Sequence, residues 1–293
     1  MRFRQTGAFL AFIWIYAGCG MYHAMKDVPM PPGASKKADI AYYQGEGADQ
    51  KKHRLDIYIP PGEPVHPVVI FVHGGAWKWG DRDSTFDTYG KLGKKFVAAG
   101  ILTVVISYRL APEFKHPAQV RDVARAIAWV KKNIGSFGGS TEVVFLMGHS
   151  AGAHLVALVA ADPVYLRQAG VDPAYIKGVI AISGPYDINM MAEKVPKLTR
   201  EAFGDDQKAW TNASAATHLK SASLPRFLVA IGDGDPEGLH QQARAFIKAV
   251  KRAGGRVKRV LARGRNHFRI IYRLGEKGDA LGDAVKAFIL RRD

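Results

Sequence analysis

The chain has a single cysteine, Cys19, among 293 residues, so no internal disulfide can form and no cysteine cluster can hold a metal. No spacing of the HExxH kind is present, and the sequence offers no metal site or cofactor-binding fingerprint. No repeat of 20–50 residues and no long low-complexity tract divides it, which excludes solenoids and arrays. No apolar run reaches the roughly 20 residues that span a bilayer. Acids are scarce against bases, 26 to 42, giving a formal net charge of +16.

What is there begins with MRFRQTGAFLAFIWIYAGCG. Arg2 and Arg4 precede an uncharged apolar segment from about Gly7 to Tyr16, then Ala17 and Gly18 lead into Cys19. A basic start, an apolar core and small residues make the order of a secretory signal, read here as residues 1–25, although Gly18–Tyr22 could extend the core into an anchor. Ala17-Gly18-Cys19 also resembles the bacterial lipoprotein signal, with Tyr16 where an aliphatic residue is usual, which makes Cys19 a candidate for lipidation. Removal with an ordinary signal peptide is the alternative. Either way the folded part is expected to be secreted or periplasmic, or tethered to the cell envelope through its N-terminus. Residues 26–38 carry a short Pro/Gly-rich stretch and read as a linker, leaving 39–293 as one domain.

The positive charge suits an anionic membrane surface or nucleic acid. Its bases are scattered along the chain without interleaved aromatics, so no nucleic-acid partner is expected, and a plain solvated basic surface is the alternative.

From about Asp39, strand and helix patterns alternate. Arg54–Ile59 reads as an early antiparallel strand, Val68–Val72 as a continuous apolar strand buried on both faces, Ile101–Ser107 as another β-branched run, and Val143–Met147, Val179–Ser183, Phe227–Ile231 and Val257–Ala262 as further strands. Between them lie helical patterns, among them a 3.6-residue stripe after Pro117 and an irregular helical stretch over 190–220. This is an α/β chain with a doubly wound, mostly parallel sheet and helices on both faces, whose ligand sites lie at the carboxyl ends of the strands.

The residues just past the strands therefore carry the chemistry. Past Val143–Met147 comes GHSAGAH (148–154), where a strand turns into a helix at Ser150 between glycines, the arrangement that exposes a nucleophilic hydroxyl. A capping serine in a simple turn is the bland alternative. Past Val68–Val72 comes HGGAW (73–77), whose consecutive glycines let backbone N–H groups approach an oxyanion; Gly74, Gly75 and Ala151 are the candidate donors. A serine nucleophile needs an acid and then a histidine further along. GDGD (232–235) offers Asp233 and Asp235 after one strand, and Asn266-His267 follows the last. Of the histidines beyond Ser150, His154 lies on the nucleophile's own helix, His218 precedes both acids and His240 falls inside a helix, which leaves His267.

With SYRLAPE (107–113), SGPYD (183–187) and NHF (266–268) added, residues 50–292 resemble α/β-hydrolases of the carboxylesterase type, near the hormone-sensitive-lipase-like, feruloyl-esterase-like and kynurenine-formamidase-like groups. The resemblance implies an α/β-hydrolase fold with a small cap region, no cofactor, a small-molecule ester substrate, and a Ser150, Asp235, His267 triad in which Asp235 is preferred to Asp233. It also implies a structural Arg109–Asp122 ion pair. Trp77, Trp79 and Tyr186 are candidates for the substrate pocket or for ordinary packing. The alternatives are an amidase or arylformamidase on the same site, and a non-catalytic, envelope-tethered binding protein that kept the fold.

Overall fold

The computed structural model describes residues 28–83, 87–220 and 224–290. Residues 1–25, expected to be a signal, and Cys19 lie outside them. Eight strands form one sheet in the order β1-β2-β4-β3-β5-β6-β7-β8, antiparallel where β1 (Ser35–Ala41) meets β2 (Arg54–Ile59) and where β2 meets β4 (Leu102–Ile106). The other neighbours run parallel: β3 (His66–Val72), β5 (Gly139–His149), β6 (Ile176–Ile182), β7 (Arg226–Gly234) and β8 (Val257–Asn266).

The apolar runs form central strands because both of their faces are buried. Along β3, Val68, Ile70 and Val72 enter one core layer while Val69 and Phe71 enter the other, and β5 divides Val144 and Leu146 from Phe145 and Met147 in the same way. Helix α1 (Thr88–Val97) and the C-terminal helix (Ala280–Leu290) cover the second layer. The first is covered by α2 (Ala118–Asn133), which buries Val120, Val123, Ile127 and Val130 at helical spacing, by α3 (Ala151–Ala161), and by the helix Glu237–Arg252. α3 is buried at every residue, which its uninterrupted apolar sequence allows.

Between α3 and β6 runs α4 (Val164–Gln168). The stretch over 190–220 resolves into three short helices, α5 (Ile188–Lys194), α6 (Pro196–Phe203) and α7 (Gln207–Ala213). Asp187 and Asp206 open α5 and α7 by accepting backbone N–H groups of the first turn. After β7 comes α8 (Glu237–Arg252), and after β8 a single turn, α9 (Arg269–Tyr272), before α10 (Ala280–Leu290).

One boundary differs from expectation. Residues 35–38, read as linker, belong to β1, an edge strand whose first five residues are exposed. A strand with no buried face carries no apolar alternation, and its pairing with β2 is interrupted between Lys37 and Ile40, where Asp39 takes φ 56°.

Candidate active site

β5 ends at His149 and α3 begins at Ala151, so Ser150 alone makes the turn, with φ 55° and ψ −118°. Such a conformation costs on the order of 1–3 kcal/mol and must be held from outside. The Ser150 N–H donates to the Ile182 carbonyl on β6 at 2.9 Å, and its own carbonyl accepts from the His154 N–H at 3.1 Å. The flanking glycines bring three backbones together: a side chain at Gly148 would overlap the Gly152 carbonyl, and one at Gly152 would overlap the Val72 and His73 carbonyl oxygens. α3 therefore starts directly against the end of β3.

Three further strand ends complete the cluster. His267 follows the last residue of β8, and its Nε2 lies 3.0 Å from the Ser150 Oγ. Its Nδ1 lies 2.8 Å from Asp235 Oδ1 in the loop after β7. The other Asp235 oxygen accepts from the Ser183 hydroxyl at 2.7 Å and from the Gly232 N–H at 2.7 Å. Burial pushes the Asp235 carboxyl up, but the bonds from His267, Ser183 and Gly232 outweigh it and hold the group below the usual carboxylate range. Asp233 does not join. It is exposed and accepts the Gly264 and Arg265 N–H groups, fixing the bend of β8 that leads to His267.

His149 supports the same group from behind. Its Nε2 meets the His267 carbonyl at 2.8 Å, and burial beside His267 lowers its pKa to about 3, so it stays neutral and donates that bond. Ser183, the first residue of SGPYD, sits just past β6 with φ 52° and is fully buried. Its position at a strand end is the signal that finds it.

The expected anion-binding backbone is strongly bent. Gly75 takes φ 112°, Ala76 53° and Trp77 59°, and the Gly75 carbonyl accepts the Lys78 and Trp79 N–H groups at 3.0 and 2.9 Å. Gly74 packs against His149 and Ser150, where a side chain would crowd the turn.

The pocket expectation needs correction. Trp77 is 2% exposed, donates its indole N–H to His154 Nδ1 at 3.2 Å and packs edge-on to Phe203; Tyr186 is 1% exposed and stacks on Phe246. Both are core residues with no surface left for a ligand. Trp79 is 53% exposed and lies beneath the Lys78 ammonium, which pairs with Glu201 of α6 at 2.7 Å. The Arg109–Asp122 pair is present as expected, two-pronged at 2.9 and 2.8 Å, with His53 and Arg125 as second and third partners of the fully buried carboxylate.

Compared with known proteins, residues 55–250 match the model of the family described as BD-FAE. The chain is 34% identical over 251 residues to the esterase LipQ of Mycobacterium tuberculosis, an alignment covering 78% of this chain and 57% of LipQ. It is 30% identical to the kynurenine formamidase of Danio rerio, covering 80% of this chain and 76% of that protein. Against the probable isoprenylcysteine alpha-carbonyl methylesterase ICME of Oryza sativa it is 30% identical, covering 75% and 56%. The chain spans little more than half the length of LipQ and of ICME. Among solved structures, esterase B from Lactobacillus rhamnosis superposes with a TM-score of 0.77 at 20% identity, covering 97% of this chain and 92% of that one. The Pyrobaculum calidifontis esterase gives 0.73 at 21% identity, covering 97% and 93%. These likenesses establish the α/β-hydrolase fold, and on the family match the chain belongs to the BD-FAE family.

Proposed function

We propose that the chain is a serine hydrolase that cleaves carboxylic esters, held at or exported across the cell envelope by its N-terminal segment. The observation that carries the reading is the continuous Asp235–His267–Ser150 hydrogen-bond relay ending on a serine whose backbone is held at positive φ. His267 Nε2 accepts the Ser150 hydroxyl proton as Oγ attacks the acyl carbon, while Asp235 keeps the Nδ1 proton in place and stabilises the imidazolium that forms. The N–H groups of Gly74, Gly75 and Ala151 are the donors for the tetrahedral oxyanion, and each such donor is worth about 10²–10³ in rate. Collapse expels the alcohol, protonated by His267, and leaves an acyl-serine. Water, deprotonated by the same imidazole, then releases the acid and regenerates the hydroxyl.

A second reading shares the site: hydrolysis of a formamide or other amide. It is favoured by the match to a kynurenine formamidase, which covers most of both chains. The intact relay speaks against a binding protein that has lost catalysis.

The test is hydrolysis of p-nitrophenyl acetate, butyrate and octanoate by the full chain and by Ser150→Ala, with a matched formanilide alongside. Ester turnover lost by at least about 10⁴-fold in the variant is expected. Turnover of the formanilide alone would move the assignment to the amidase, and inertness of both proteins toward every substrate would overturn the hydrolase reading.

A further inference from the structure

From Gly238 to Gly275 the sequence contains no aspartate or glutamate and eleven lysines or arginines. This acid-free stretch comprises most of α8 and the whole of β8, which is the outer strand of the sheet. The fold thus gathers onto one edge cations that the sequence spreads over almost forty positions. Three of them are paired: Arg244 with Glu237, Arg265 with Asp279, and Arg273 with Glu276. The rest of those on this edge have no carboxylate partner among the described residues.

Their placement is regular. Lys248, Lys251 and Arg252 stand at i, i+3 and i+4 on the exposed face of α8, opposite its buried Ala243, Phe246 and Val250. Along β8, Val257 packs into the core layer that α8 covers, so Arg259, Leu261 and Arg263, at alternate positions, belong to the same face of the sheet. All three are exposed, and Leu261 is a large apolar side chain 42% open to solvent between two arginines. Lys258 extends the charge over the other side of the edge.

One or two charges suffice to keep an edge strand from pairing with another copy. A charged helix stripe, a charged strand and an apolar side chain set between arginines exceed that need. The combination matches an anionic bilayer, where cations meet lipid phosphates and an aliphatic side chain enters the headgroup region. A single-stranded nucleic acid would call for exposed aromatic platforms. The large exposed hydrophobic residue on this face is Leu261 instead.

We propose that the α8–β8 edge is a docking surface for anionic phospholipid. β8 leads directly into His267, so a molecule docked on this edge carries its candidate active site beside the lipid surface. Since the N-terminal segment leads toward β1 at the opposite edge of the sheet, a tether there and the cationic edge would act on different parts of the molecule.

The test is co-sedimentation of the full chain with phosphatidylcholine vesicles and with vesicles containing about 30 mol% phosphatidylglycerol. A fourfold variant, Lys251→Glu, Arg252→Glu, Arg259→Glu and Arg263→Glu, is compared with Lys131→Glu, Lys132→Glu on α2, and near-ultraviolet circular dichroism reports folding of each. The parent chain is expected to partition at least tenfold more strongly onto the anionic vesicles, and to lose that gain as NaCl rises from about 0.1 to about 0.5 M. The fourfold variant is expected to bind both vesicles alike, at the parent's level for the neutral ones, while the α2 variant keeps the gain. Equal binding of the parent to both vesicles overturns the proposal, as does a folded fourfold variant that keeps the anionic preference. The salt titration decides the matter even where that variant fails to fold. Binding to single-stranded DNA without preference for the anionic vesicles would overturn it in favour of a nucleic-acid surface.

Discussion

Two carboxylates two positions apart, Asp233 and Asp235, have opposite surroundings. Asp235 is 7% exposed and receives bonds from His267, Ser183 and Gly232, whereas Asp233 faces solvent and ties down the Gly264 and Arg265 N–H groups. Replacing Asp235 by Asn leaves the shape but removes the charge that fixes the imidazole's tautomer and stabilises its protonated form. Asp235→Asn is therefore expected to lower kcat by about 10⁴, with KM little changed, in a steady-state ester assay. Asp233→Asn is expected to stay within about threefold, because only exposed backbone bonds are weakened. Reversal of the two outcomes would remove Asp235 from the relay. Strand position left the pair open, since both follow the same strand within one short loop, and only the family resemblance preferred Asp235. What separates them is the path of the β7–β8 bend, set by contacts 31 and 32 residues away in the chain.

Strand and helix patterns were legible wherever burial on both faces demanded continuous apolar residues, as in β3 and β5, and wherever a turn demanded glycine, as at Gly148 and Gly152. β1 was not, because its side chains are exposed and its pairing is a backbone matter. Trp77 and Tyr186 were read as possible pocket residues from residue type and motif, and nothing local distinguishes a lining aromatic from a buried one. Their partners, His154 and Phe203 for the one and Phe246 for the other, come from remote elements. At this scale the approach of α3 to β3 is the sensitive joint. In Gly152→Ala the added methyl meets two backbone carbonyls, which have no rotamer with which to yield, so α3 must move and carry Ser150 and the Ala151 N–H with it. A loss of about 1–3 kcal/mol in denaturant unfolding is expected, together with a fall of about 10² in kcat/KM. Gly238→Ala, in the first turn of α8 with nothing within 4 Å, is the control: it is expected to leave activity unchanged and to stabilise slightly. Full activity in Gly152→Ala would show that the joint has slack.

Four consecutive parallel strands, β5 to β8, each deliver one polar side chain to the same end of the sheet: Ser150, Ser183, Asp235 and His267. Around them the molecule buries an unusual set of neutral histidines. Burial lowers His73 and His154 to about 4 and His149 to about 3, against an unfolded value near 6.5. Between those limits the unfolded chain binds protons that the folded chain refuses. The stabilisation from keeping these rings neutral is therefore complete above about pH 6.5 and is lost as pH falls toward 4. At pH 5.5 each ring contributes a deficit on the order of 1 kcal/mol, and three together amount to several, a large part of the stability of an ordinary domain. Asp235 adds nothing in this range, since its depressed pKa erodes stability only below its unfolded value of 3.8. Urea unfolding followed by tryptophan fluorescence at pH 7.5 and 5.5 is expected to give a lower midpoint at the acid pH with an unchanged slope. Lys258 and its unpaired neighbours work in the same direction at every pH, and salt separates the two causes: screening the surface cations raises both midpoints together, whereas the difference between them, rooted in buried rings that ions do not reach, stays. Midpoints that coincide at the two pH values would mean that these histidines are protonated at no cost, and that the interior around the relay is open to water.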